Sequence, residues 1–556
     1  MSMITVEDAA FWQQEAQRLH WQQDFSALVA SIDGGPRCRW FPGGKTNLSY
    51  NALDRHLVTR GDHCAIIHRD YLGYTHRLSY FELWQQVNTL SSLLSSWGIR
   101  QGDRVLIALP MTPQAAIAML ACARLGAVHV VVYSASTSEA LAQRINACQP
   151  VLLIHSSEKR SRESLPSIPA PTATLRVADM VSAEFSRELA QHQGREVPCA
   201  WVEASQPSHL LFTSGTTGAP KGIVRDTGGY AVALLASLHY LFQVQDDEIF
   251  FTTADVGWVT GHSYGVYAPL LAGITTVMCE ASPVNAPGES WWQMVAELGI
   301  TRMLTIAGAI RMARQQGTPR ANLTALRSLY LAGEPLDSTT HDWVSTEMCV
   351  PCENHYWQTE SGWPLLAGSG SGLKPVFSRS VAIVDAASGA LCAAGEAGLL
   401  VVNGSLGPGG MSTLWQDDTQ HDQRYWLQRD GRWSYATHDC ALQVGDKIVI
   451  QGRMDDVINI GGKRLATAEV ENALAGLDGL VEVVATRTPH HLLGEMVALF
   501  VVTDGLNAQQ EAALKQQIRE RLISRCGRYA LPRKIHFRRS LPKTFSGKFL
   551  RRMLSA

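Results

Sequence analysis

A chain of 556 residues is longer than one hydrophobic core usually supports, so two or more domains are expected. With 48 Lys and Arg against 50 Asp and Glu, no net field draws a nucleic acid or a membrane surface, and any polyanion must be met locally. Eleven scattered cysteines read as reduced thiols of a cytoplasmic protein, and neither a membrane-spanning apolar run nor a basic segment leading into a signal core is present.

In chain order, amphipathic helical patterns at 81–97 and 113–125 alternate with strand-like apolar runs at 104–109, 128–132, 151–155, 274–279 and 303–306. That alternation predicts an α/β fold, with parallel-rich sheets layered with helices. Pro/Ser-rich 156–171 and Gly/Ser-rich 368–373 read as loops. The pair Cys349 and Cys352 has redox or zinc spacing but no second CxxC and no nearby histidine pair, which favours a structural reading. The last hundred residues form a run of short strands and two helices. From 519 to 556 there are twelve Lys or Arg and one acidic residue, Glu520, which is either a solvated basic face or a lid for phosphates.

The most informative segment is 211–225, LFTSGTTGAPKGIVR. A strand leads into Thr213, Ser214, Gly215, Thr216, Thr217 and Gly218, where small residues let backbone N–H groups close around phosphate oxygens. Lys221 then adds a positive charge. The spacing is not that of a P-loop, because Gly218 is followed by Ala219, Pro220, Lys221 and Gly222. The glycine cluster 368–372 ends in Leu373 where a dinucleotide fingerprint needs its last glycine.

TSGTTGAPKG, with YWQTESGW at 356–363, GRMDDVINIGGKRL at 452–465 and PKTFSGK at 542–548, resembles the adenylate-forming acyl-CoA synthetase family. The resemblance is closest to its acetyl-CoA and propionyl-CoA synthetase branch, and it begins near Phe11. It implies a large N-terminal adenylation domain at 1–454 and a small mobile C-terminal lid at 455–556, hinged near Asp455 and taking one orientation for each half-reaction. It also implies ATP, Mg2+ and coenzyme A, a short-chain carboxylate as substrate, and an AMP-forming acid-thiol ligase. A carrier-protein phosphopantetheine is the alternative acceptor, since the CoA-binding stretch at 155–162 is short and poorly matched.

By the same resemblance Lys548 is the catalytic lysine bridging acyl oxygen and α-phosphate, Glu360 holds Mg2+, and Thr359 bonds the α-phosphate. Gly333, Glu334 and Pro335 with Asn354, His355, Tyr356, Trp357 and Gln358 form the adenine pocket, Tyr356 being its stacking surface. Asp439 meets the ribose, although His438 stands where the family commonly has glycine. Arg453 and Arg464 reach ribose or phosphate, and Gly461 and Gly462 let pantetheine pass close to backbone. Trp357, Val259, Thr260 and Ala332 wall the acid pocket. The indole excludes long chains, and alanine at 332, where acetate-selective members have valine, leaves room for one more carbon.

A hydrolase is the rival from another class. Gly261, His262, Ser263, Tyr264 and Gly265 match G-x-S-x-G after a plausible strand, the setting of a nucleophile elbow. That reading leaves the phosphate loop and the basic lid without a role. A nucleotide-binding regulator without turnover would not need Lys548 at the reacting oxygen.

Overall fold

The computed structural model describes residues 6–133, 136–157, 174–214, 220–281, 288–334, 336–370, 372–377, 380–429, 431–460, 463–503, 505–542, 549 and 551–554. Two large sheets dominate the first 415 residues. In the nine-stranded one, Cys352–Tyr356, Ser328–Ala332, Arg302–Thr305, Ile249–Thr252, Thr275–Cys279 and Cys64–Arg69 run parallel side by side. Antiparallel strands close both edges. The seven-stranded sheet joins Pro207–Ser214, Val128–Val131, Arg104–Ala108, Leu152–His155 and Arg176–Asp179 in parallel, with Pro220–Asp226 antiparallel beside Pro207–Ser214. Strands covered on both faces read as unbroken apolar runs, which is why the sequence betrays them: all four residues of Val128–Val131 are buried.

Helix Tyr80–Ser96 has the expected two faces. A capping box of Ser79 and Glu82 starts it, and Tyr80, Leu83, Val87, Leu90 and Leu94 bury one side. Helix Pro113–Arg124 departs from the amphipathic expectation, being buried at every residue except Gln114. One core cluster explains this. It contains Val105 and Ile107 of the seven-stranded sheet, Ile66, Phe250 and Leu304 of the nine-stranded sheet, and residues of helices Pro113–Arg124 and Gly228–Tyr240. Helices shared by two sheets keep no solvent face, so they are apolar all round.

A third, antiparallel sheet is built from Val381–Val384, Gly398–Asn403, Trp426–Arg429, Arg432–Val444 and Lys447–Arg453. After the single turn Met454–Asp456 the chain enters a fourth sheet, of Val457–Ile460, Lys463–Ala466, Leu480–His490, Gly494–Thr503 and Lys534–Arg538. Helices Thr467–Leu474 and Ala508–Arg525 cover it, and its core of Ile458, Leu465, Val470, Leu499, Leu514, Ile518 and Leu522 is separate from the others. Among the described residues no helix is long and apolar enough to cross a membrane.

Candidate active site

The parallel strands of the nine-stranded sheet deliver the candidate residues to one edge. Val259 and Thr260 follow Ile249–Thr252, Gly333 and Glu334 follow Ser328–Ala332, and Trp357 to Glu360 follow Cys352–Tyr356. Ala332 and His355 are register partners on adjacent strands. Ligands of open α/β sheets bind outside the carboxyl ends of the strands, so the topology alone makes this edge the first candidate. Gly333 turns the chain there with φ +87°, a conformation that side chains resist.

Asp439 is the hub of the polar network. Its Oδ2 accepts from the Tyr356 hydroxyl at 2.5 Å and from Gln358 Nε2 at 2.5 Å, and Arg453 Nη1 lies 3.4 Å from Oδ1. Gln358 also donates to Thr437 O at 2.7 Å, and its Oε1 accepts from Tyr435 at 2.8 Å. Arg453 is in place because Asp439 and Arg453 are register partners on adjacent antiparallel strands. Burial pushes the Asp439 carboxyl up, and Arg453 opposes that shift. His438 takes φ +58°, which gives a conformational reason for the glycine common at this position. His438 bears that cost, and its ring lies edge-on to Tyr425 at 5.7 Å.

Lys221 is the register partner of Thr213 across the hairpin that flanks residues 215–219. The residue is 8% exposed, and its Nζ has no hydrogen-bond partner among the described residues. Burial and the nearby Arg424 lower its pKa, while Glu360 and Asp417 pull it back up. A buried ammonium that lacks a bonded partner is costly and suits an anion arriving from outside. Glu360 faces the same space, with its Oε1 accepting from the Tyr425 hydroxyl at 3.0 Å. That bond fixes the direction of the carboxylate, a hard oxygen ligand of the kind Mg2+ requires.

Other expected contacts are used inside the protein. Glu334 accepts from Gly308 N and from Arg311, both at 2.5 Å, and so ties the turn to helix Ala307–Gln315. His355 is 1% exposed, and its ring packs with Phe242 and Tyr330. Asn354 is likewise buried. In the acid-pocket group, Trp357 stands edge-on to Tyr264 at 5.4 Å, and Ala332 and the partly exposed Val259 join the same apolar cluster. Thr260 is half-buried beside Val259. Gly215, Thr216, Thr217, Gly218, Pro335, Gly461, Gly462 and Lys548 lie outside the described residues, as do the side chains of Ser214, Asp455 and Arg464 and most of 155–162.

Residues 53–415 match the AMP-binding enzyme family, 469–548 the AMP-binding enzyme C-terminal domain, and 5–52 the acetyl-coenzyme A synthetase N-terminus. The chain is 37% identical over 590 residues to the propionate–CoA ligase of Escherichia coli (strain K12), spanning 99% of this chain and 94% of that one. The chain belongs to the AMP-forming acyl-CoA synthetase family. The synthetase is also 35% identical over 580 residues to the acetyl-coenzyme A synthetase of Syntrophus aciditrophicus (strain SB), covering 98% of this chain and 89% of the relative. Acetoacetyl-CoA synthetase from Streptomyces lividans shares the fold, with a TM-score of 0.84 at 22% identity over 98% of this chain and 87% of its own.

In the synthetase, Ser263 is not a hydrolase nucleophile. It is fully buried, its Oγ pairs with the Tyr230 hydroxyl at 2.9 Å, and it starts a π-helical turn, Ser263–Tyr267, instead of standing exposed at an elbow. The eleven cysteines are free thiols; Cys352 is buried and Cys349 exposed without a bond between them. Sequence reasoning passed over Arg225, which is fully buried and donates to the carbonyl oxygens of Thr359 and of Glu360, the latter at 3.1 Å. The available signal was an Arg-Asp pair directly after the apolar Ile223 and Val224, where an unpaired charge would be prohibitive. Tyr425 and Tyr435, which hold Glu360 and Gln358, carried no such signal.

Proposed function

We propose that the synthetase activates propionate in preference to acetate with ATP and Mg2+, and passes the acyl group to coenzyme A. A carboxylate oxygen attacks the α-phosphorus of ATP while the bond to pyrophosphate breaks. The CoA sulfur then attacks the acyl carbonyl, AMP leaves, and the thiol proton passes to solvent. Both partners of the first step are anions, so catalysis requires positive charge and alignment. Lys221 and Arg453 in the larger domain, and Lys548 and Arg464 on a lid at 455–556, supply that charge. Thr213 to Gly218 cradle the phosphates, Thr359 bonds the α-phosphate, and Asp439 takes the ribose hydroxyls. Glu360, oriented by Tyr425, holds Mg2+, which neutralises phosphate charge when bound.

The observation that carries the choice of acid is the small Ala332 in the same apolar cluster as Trp357, whose indole stands edge-on to Tyr264. The indole limits chain length, while alanine leaves space for the extra methylene of propionate. Burying one methylene contributes about 0.8 kcal/mol, and pockets of this kind discriminate by about 1–3 kcal/mol. The relatives named as propionate and acetyl ligases carry CoA in their names, and none is named for a carrier protein, which favours CoA as acceptor. Steady-state kinetics with acetate, propionate and butyrate, with and without CoA, test the reading. The expected kcat/KM for propionate exceeds that for acetate by about tenfold. Equal values, or a preference for acetate, would refute the pocket argument.

A further inference from the structure

Between the two large sheets lies a group of side chains that the proposed chemistry does not use. His129 of Val128–Val131, His209 of Pro207–Ser214 and His262 of the short helix Val259–His262 are all fully buried. One ring nitrogen from each lies within 4.8 Å of the other two. The Nε2 atoms of His129 and His262 are 3.0 Å apart.

The hydrogen bonds around the group have the form of supports for metal ligands. The Nδ1 of His209 is held by Ser208 Oγ at 2.9 Å, and the Nδ1 of His262 by the Tyr230 hydroxyl at 2.9 Å. Each bond occupies the Nδ1 of its ring and leaves Nε2 as the nitrogen open to a ligand, the arrangement by which outer hydroxyls and carbonyls fix ligating imidazoles, whereas the Nδ1 of His129 has no such partner among the described residues. His209 Nε2 has no hydrogen-bond partner among the described residues although its ring is entirely buried. An orphaned buried polar atom costs about 1–3 kcal/mol, and the fold retains it at the middle of its core.

We propose that His129, His209 and His262 form a structural site for a divalent cation of the zinc type. Tetrahedral ligation at about 2.0–2.1 Å places ligand nitrogens about 3.3 Å apart and ring centroids about 5.2 Å apart. The His129–His262 and His129–His209 centroids are at 5.1 and 5.3 Å; the His209–His262 pair, at 4.0 Å, opens by roughly an ångström on binding. The Tyr267 hydroxyl, 3.2 Å from His129 Nε2, is the nearest candidate for the fourth position. Three imidazoles are a donor set that suits Zn2+, Cu2+ or Ni2+ and not Mg2+. Arg225 opposes the added charge. His262 ends the helix that carries Val259 and Thr260, so the ion would pin one acid-pocket wall to the seven-stranded sheet.

Because the site is sealed, loading has to accompany folding. The full chain, without a histidine tag, is produced in zinc- or cobalt-supplemented medium, dialysed against chelator, and assayed for metal by mass spectrometry and for the visible d–d bands of cobalt. One ion per folded chain with tetrahedral cobalt bands is expected, and His209→Phe, which keeps an aromatic ring in the same space, lowers the content at least tenfold. His129→Gln is the second variant, and retained folding of each is checked by its melting curve. Less than a tenth of an equivalent in the wild-type chain, cobalt bands of octahedral type, or undiminished metal in a folded His209→Phe chain would each overturn the proposal. The wild-type measurements stand whether or not either variant folds.

Discussion

Replacing Arg225 is expected to disable acid activation without touching any group that meets substrate. Its guanidinium is buried in the seven-stranded sheet and holds the backbone carbonyls of Thr359 and Glu360, the two residues on which phosphate and Mg2+ contacts are proposed to depend. The packing around it is tight. A Cβ at Gly362 would lie 3.0 Å from Arg225 Cζ and 2.2 Å from Gly409 O, so the turn after Glu360 cannot move aside easily. Burial lowers the Arg225 pKa to about 10, and Tyr230, Glu360 and Asp226 work against that shift. Each bond from a charged donor is worth about 1.5–3 kcal/mol, so Arg225→Met forfeits about 3–6 kcal/mol of restraint on the turn, partly offset by relief of the buried charge. If half of the loss appears in the transition state, kcat/KM falls by about 10–10²-fold. Arg225→Lys keeps the charge and reaches one carbonyl, with a loss of about tenfold expected. Propionate-dependent exchange of labelled pyrophosphate into ATP measures the step directly, and a melting curve separates mispositioning from unfolding. A folded Arg225→Met enzyme exchanging pyrophosphate at wild-type rate would refute the reasoning.

Lys548→Ala is expected to lower acid-dependent pyrophosphate exchange by about 10²–10³-fold while thiolysis of a supplied acyl-adenylate continues; an unchanged exchange rate would remove the lysine from the first half-reaction. Ala332→Val fills the space assigned to the extra methylene, so kcat/KM for propionate falls by about 10-fold or more and that for acetate changes less, as a two-substrate comparison would register. Asp226 gives a pH signature, since burial pushes its carboxyl from 3.8 up to about 7. The native state then keeps a proton that the unfolded chain loses, so its stabilising contribution is full at low pH and disappears as pH rises through 7. Asp226→Asn is therefore expected to match the wild type near pH 4 and to be more stable at pH 8, with a ceiling on the order of 4 kcal/mol. Denaturant melts at both pH values check the sign, and a variant weaker at pH 8 than at pH 4 relative to wild type would reverse it.

The parts of this fold that the sequence made legible are those in which one physical constraint acts on contiguous residues. Parallel strands covered on both faces must be apolar throughout, and the runs at 104–109, 128–132, 274–279 and 303–306 met strands within a residue or two of their expected ends. Helix Pro113–Arg124 shows the limit of periodicity. Its pattern suggested a solvent face, but two sheets enclose it, and only tertiary structure supplies the second cover.

The candidate site divides along the same line. Asp439 and Glu360 stand in short motifs and could be singled out, whereas Arg225, Tyr425 and Tyr435 act through partners 65 to 135 positions away in the chain. Their importance lies in what they hold, and a backbone carbonyl leaves no mark on the residue type that presents it. His129, His209 and His262 are an extreme case, because each is a lone histidine in an apolar setting and the most economical reading of each by itself is core packing. Only the pairing of Pro207–Ser214 with Val128–Val131, which makes His209 and His129 register partners, turns three unremarkable positions into one chemical group. The same pairing sets the hairpin that carries Thr213 and Lys221, so the histidine core and the proposed phosphate cradle share a strand. His209 and Thr213 stand four positions apart on that one strand, so the histidine cluster and the proposed phosphate cradle are built on the same stretch of extended backbone.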